Sequence, residues 1–186
     1  MADLAMTVSP GFLLLTAFLF YVGGGGAVAA FFSAALAHEL GHLTAMWAMK
    51  AEILSLRLTP CGPVIGYRGD LTSRQEMCIL AAGPLSGIFF ALFCFFLDTD
   101  YFSYVGTIAL LATFFNLLPV EPLDGGRLLR LLLEEILPAR TSGVILRVCG
   151  NLCSVGVILT GLWIGSPAAA AVGIWMAALA NVPHLR

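Results

Sequence analysis

The chain has 186 residues, 60% of them hydrophobic and only 11% charged, and its mean hydropathy is +0.97. Soluble domains of this size carry about twice that share of charged residues, so the composition excludes an ordinary soluble domain and points to an integral membrane protein. The net charge of −2 says nothing about partners, and no basic cluster suggests nucleic acid.

In chain order, the first 22 residues contain no Lys or Arg. The basic region of a cleavable signal peptide is therefore missing, and "PGFLLLTAFLFYV" reads as a retained span. Apolar stretches long enough to cross a bilayer fall at 9–22, closed by "GGGG", then at 27–49, 75–97, 102–118, 142–164 and 167–183. The expected fold is an all-α polytopic membrane protein of about six transmembrane helices. Between the second and third spans, Leu54, Leu56 and Leu58 alternate with Ser55 and Arg57 before the turn signal "TPCGP", which predicts a small membrane-associated β-hairpin over 52–68. After the fourth span "PVEPLDGG" breaks the helix, and "RLLRLLLEEILPAR" reads as an amphipathic helix with Arg130 and Glu134 one turn apart. The five cysteines, Cys61, Cys78, Cys94, Cys149 and Cys153, form no CxxC pair; they read as small buried hydrophobes without a disulfide framework.

Six spans with both termini on one side place every Lys and Arg on that side, from Lys50 and Arg57 to Arg147 and Arg186, and leave the opposite loops only Asp98 and Asp100. The positive-inside rule then makes both termini cytoplasmic. The second span runs toward that face, which brings His38 and His42 nearer to it, with Asp124 arriving at a similar depth.

That second span contains "HELGH", with His38, Glu39 and His42 in an otherwise oily helix. A charged group at the centre of a membrane helix costs roughly 2.5–3.5 kcal/mol on the insertion scale, so burying these groups needs an offsetting gain. Residues four apart share a helix face, so His38 and His42 can grip one metal ion while Glu39 reaches a metal-bound water. Two histidines leave a catalytic zinc site one protein ligand short. "NLLPVEPLDGG" offers Glu121 and Asp124. Asp124 is the preferred ligand because the two following glycines allow a sharp turn and a close approach; N-capping of the next helix is a compatible second role. Gly41 leaves room for another backbone, and Gly83 with Gly87 forms a GxxxG spacing suited to tight helix packing.

"HELGH" followed by "NLLPVEPLDGG" resembles the paired motifs HExxH and NxxP…DG of the site-2 proteases, which cut other membrane proteins within the bilayer. "LTPCGPVIGYRGDLTSRQEMCILAAGPLSG" is similar to the hairpin and third span of the sporulation factor IV B-type branch, which processes a membrane-tethered pro-sigma factor. The resemblance covers residues 10 to 165. It implies an intramembrane zinc metalloprotease with one Zn2+ per chain. His38, His42 and Asp124 would be ligands, Glu39 the general base, and Asn116 a residue that orients substrate or stabilises the oxyanion. Pro119 would break the helix so that Asp124 can turn in. Two departures stand out: Gly87 replaces the polar residue many members carry, and the chain is expected to be a single domain over 1–186 without a PDZ or CBS module. The implied partners are a membrane protein substrate, the lipid bilayer and a regulatory membrane partner, in a bacterial cytoplasmic membrane.

An unwound substrate needs a docking surface, and residues 52–68 are the only strand-like stretch to offer an edge. Two other classes use similar residues. A zinc or ion transporter would spread its ligands along several depths, and an inactive scaffold would have no evident use for Glu39.

Overall fold

The computed structural model describes residues 5–59, 62–68 and 71–182. Strand β1 (Ala5–Val8) leads into helix α1 (Pro10–Ala48), which is followed by strands β2 (Glu52–Thr59) and β3 (Gly62–Arg68). Then come helices α2 (Ser73–Phe96), α3 (Asp100–Asn116), α4 (Asp124–Glu134), α5 (Ala139–Trp163) and α6 (Pro167–Ala180). The all-α architecture with a small β element is as expected. The backbone packs as two units, Met1–Phe114 and Phe115–Arg186.

In the first unit, α1 starts at Ser9, whose hydroxyl accepts the Phe12 N–H, with Pro10 in the first turn. A straight helix of 39 residues would be about 58 Å long. Yet Val8, before α1, pairs with Leu58, after it, and the rings of Phe12 and Phe32 stand 5.7 Å apart. The chain therefore doubles back inside α1. The reversal is at Gly24, whose φ of 66° and ψ of −165° fall in a region only glycine occupies freely. The two legs correspond to the first two expected spans, with "GGGG" as the turn.

The β element has three strands in the order β1-β2-β3, not two. β2 and β3 form the expected antiparallel hairpin, Glu52 opposite Arg68 and Thr59 opposite Gly62, with a register shift between Ile53 and Ser55. β1 adds to the other edge of β2 in parallel, Ala5 opposite Ser55. Both edges of β2 are thus used inside the chain, which among the described strands leaves the outer edge of β3 as the one the hairpin can offer.

Helix α2 begins with a reciprocal cap. The Gln75 N–H donates to the Thr72 hydroxyl and the Thr72 N–H donates to Gln75 Oε1. Small residues then bring α2 close to its neighbours. Ala30, Cys94 and Val105 form one buried cluster, and Ala34, Ala91 and Ala109 a second, each covered by Phe90 and Ile108.

The second unit carries the helix break and α4 to α6. α6 is capped by Ser166, whose hydroxyl accepts the Ala169 N–H. α5 and α6 meet through glycines, Gly161 against the backbone of Ala169 and Ala170, and Gly173 against Ile158, and through mutual amide hydrogen bonds between Asn151 and Asn181. α1, α2 and α5 are long and apolar enough to cross a membrane, and α6 is a shorter apolar helix. Arg130 does not pair with Glu134 as its spacing predicts. It donates to Glu121 at 2.6 Å, and Glu121 is 7% exposed, so burial of this acid decides the pairing. Among the described cysteines, Cys94 alone is buried as expected. Cys149 and Cys153 are half-buried, Cys78 is exposed, and Cys61 lies outside the described residues.

Candidate metal centre

His38 and His42 lie in the second leg of α1 and are each 6% exposed. Their helical spacing sets the rings edge to face, with centroids 4.9 Å apart and planes at 76°, and the two Nε2 atoms converge to 3.1 Å. His42 Nδ1 is 2.8 Å from the carbonyl oxygen of Ile79 on α2. A carbonyl only accepts, so Nδ1 carries the proton and Nε2 of His42 is left as a bare lone pair aimed at His38. Two nitrogens about 2.0–2.1 Å from one tetrahedral ion would be about 3.3 Å apart. The donor set, its spacing and its tautomer therefore fit a metal such as zinc.

Helix α2 makes room for this pair. A Cβ on Gly83 would overlap Nε2 and Cε1 of His42 and come within 2.8 Å of His38 Nε2. One turn on, a Cβ on Gly87 would overlap the hydroxyl of Thr113 and lie 3.7 Å from His38 Nδ1. On the opposite side, Gly41 lets α1 close on the backbone of Ala82, and the Ser86 hydroxyl donates to the Ala37 carbonyl at 2.6 Å. The GxxxG spacing is a packing device, as expected, but Gly83 packs against the imidazole pair and Gly87 against the hydroxyl of Thr113. The contributions of Gly83 and Ser86 are not readable from the histidine motif; the signal for them is the small-residue run "AAGPLSG".

The other expected site residues belong to the second unit. Asn116 is the last residue of α3 and Asp124 the first of α4, and the segment between them is folded tightly. Gly125 packs against the backbone of Leu117 and Gly126 against that of Val120 and Glu121, positions where a Cβ would collide. The tandem glycines thus permit the close approach expected of them. Leu123, not Asp124, is the N-cap of α4, and no side chain bonds there. Asp124 sits one residue further in, where its charge still complements the positive helix end. Glu121, the rival third ligand, is engaged by Arg130. Glu39, beside His38 in α1, is half-buried.

Residues 98–156, which include Asn116 and Asp124, match the family described as Peptidase family M50. Stage IV sporulation protein FB of Bacillus subtilis is 31% identical over 137 residues, 69% of this chain and 46% of that protein. The chain belongs to peptidase family M50, the site-2 proteases. A relative from Synechocystis is 27% identical over 125 residues, covering 62% of this chain and 33% of that protein. The chain thus spans less than half the length of either curated relative. The solved structure of the site-2 protease from Methanocaldococcus jannaschii matches the fold with a TM-score of 0.75 over 100% of this chain and 96% of that one, at 20% identity. The M50 chain is accordingly a multi-pass membrane protein of a metalloprotease family.

Proposed function

We propose that this M50 protein is an intramembrane zinc metalloprotease that hydrolyses peptide bonds of membrane-embedded or membrane-tethered proteins. The observation that carries the reading is the convergence of the His38 and His42 Nε2 atoms at 3.1 Å on an apolar helix, with an acid between them in sequence. His38, His42 and Asp124 hold the ion in this reading, one per chain. Asp124 is preferred over Glu121 because Glu121 already neutralises Arg130. The ion, when bound, supplies a Lewis acid for the scissile carbonyl and lowers the pKa of a water.

The chain's own residues do the rest. Glu39 accepts the proton of the attacking water and returns it to the leaving amine, so that amine departs neutral. Asn116 donates its amide N–H to the substrate carbonyl oxygen as negative charge develops there. A helical substrate hides its carbonyls, and the outer edge of β3 is the docking edge for the unwound segment, by strand addition. Both ends of the chain face the cytoplasm, on the evidence of the basic residues, in a bacterial cytoplasmic membrane. The likeness to a protein named for sporulation supports a pro-sigma or anti-sigma factor as substrate, with a membrane partner as regulator.

The test is metal content and cleavage in one preparation. Detergent-purified wild type and Glu39→Gln should each hold about one zinc per chain, with cleavage of a membrane-tethered peptide lost only in Glu39→Gln. Wild type that holds no zinc after metal-replete purification, or Glu39→Gln that still cleaves at the wild-type rate, overturns the proposal. Zinc uptake into vesicles by a non-cleaving wild type would establish transport instead.

A further inference from the structure

We propose that Thr113 is a positioning residue for the metal-binding histidine His38, its hydroxyl oxygen accepting a hydrogen bond from Nδ1–H, directly or through one water, so that Nε2 is presented to the ion. The inference rests on the reading of His38 and His42 as metal ligands. A metal-ligating histidine works best when its second nitrogen is held by an acceptor, because that bond fixes both tautomer and ring orientation. For His42 the acceptor is the Ile79 carbonyl. The matching atom of His38 faces a different neighbourhood, the notch left by Gly87. The hydroxyl of Thr113, from α3, fills that notch.

Thr113 also differs from several other helical threonines. Thr16, Thr107 and Thr160 turn their hydroxyls back onto the carbonyl four residues earlier. Among the described residues Thr113 makes no such bond, although it is 1% exposed. Burying a hydroxyl costs on the order of 1–3 kcal/mol unless it is bonded, and His38 Nδ1 borders the same space beside Gly87. Gly87 and Thr113 thus act as a pair. The missing side chain on α2 makes space, and α3 supplies a polar group in it.

The experiment compares Thr113→Val, which keeps the shape and removes the hydroxyl, with Thr113→Ser, which keeps the hydroxyl. Full-length protein in detergent is titrated with zinc against a competing chelator, loaded with cobalt to read the ligand field by its visible absorption, and melted without metal. Wild type should bind zinc and Thr113→Ser should bind within about threefold of it, while Thr113→Val binds roughly 10–100-fold more weakly and shifts the cobalt spectrum at an unchanged metal-free melting temperature. Zinc affinity of Thr113→Val within about threefold of wild type overturns the inference, and so does equal loss in Thr113→Ser. Should Thr113→Val fail to fold, Thr113→Ala against Thr113→Ser makes the same comparison. Wild type that binds no zinc overturns the metal reading itself, a different outcome from wild type and Thr113→Val binding alike.

Discussion

Replacing Gly83 by alanine puts a methyl group where the two imidazoles converge. The new Cβ would lie 2.8 Å from His38 Nε2 and would overlap Nε2 and Cε1 of His42, whereas ordinary contacts begin near 3.4 Å. His38 must therefore retreat by about 0.6 Å and His42 by more, against a tolerance of about 0.2 Å in a metal–ligand distance. Helix α2 cannot simply withdraw, because Ser86 is bonded to the Ala37 carbonyl at 2.6 Å and Ala82 is in contact with Gly41. Rotation of the His42 ring would break its 2.8 Å bond to Ile79. Changes that only loosen a ligand's support weaken metal binding by roughly 10–100-fold, so displacing the ligands themselves should cost about 100-fold or more, or at least about 2.7 kcal/mol. Overpacking adds about 1–3 kcal/mol of destabilisation to the metal-free fold. The assay is zinc competition with a chelator, beside Gly156→Ala, whose methyl would meet nothing within 4 Å. If Gly83→Ala binds zinc within about threefold of wild type, the histidines do not present their nitrogens to the face of α2 and the site geometry is wrong.

Three further perturbations separate the roles of other residues. Asp124→Asn should lose zinc, whereas Glu121→Gln should keep it and instead lower stability by about 1–3 kcal/mol, the half-exposed Arg130 moderating the cost of a broken ion pair; metal content and thermal melting of both variants decide this, and the reverse pattern would make Glu121 the ligand. Prolines placed singly at Val64 and Ile65 put the missing N–H on opposite edges of β3. The one that blocks the outer edge should slow cleavage at full zinc occupancy, and cleavage unaffected by either would rule out strand addition there. Gly24→Ala forces a side chain into a φ of 66° and should cost about 1–3 kcal/mol, read as a lower melting temperature; an unchanged one would show that α1 turns elsewhere.

The readable parts of the sequence were those whose signal is local. "HELGH" announces itself because two histidines one helical turn apart need no distant information, and "GGGG" marks the reversal of α1 because its conformational demand sits on the glycines. Strand β1 was not legible. Its four residues "AMTV" run into the first span with no turn between them, and only pairing with residues some fifty positions later makes them a strand. The pairing of Arg130 was misread for a similar reason. Periodicity offers Glu134 on the same helix, but exposed pairs of that kind gain only about 0.3–0.5 kcal/mol, less than is lost by leaving a buried Glu121 without a countercharge.

The same contrast explains the least legible feature, the small-residue face of α2. The GxxxG spacing by itself makes Gly83 and Gly87 equivalent packing positions. In the structure they differ, since Gly83 borders the nitrogens that would hold an ion and Gly87 opens the space for the hydroxyl of Thr113. A membrane helix gains little by burying apolar side chains against other helices, because lipid is equally apolar, so contact must come from close backbone approach. Here that approach has a second consequence. Each glycine on the face toward α1 removes a side chain that would otherwise stand between the imidazoles and their surroundings, and it leaves backbone and hydroxyl oxygens as the nearest partners. Glycine packing brings α2 within hydrogen-bond range of His42, through the Ile79 carbonyl, and leaves beside His38 Nδ1 a space that the hydroxyl of Thr113 enters. A variant series that fills Gly83 and Gly87 one methyl at a time should therefore affect metal binding before it unfolds the bundle.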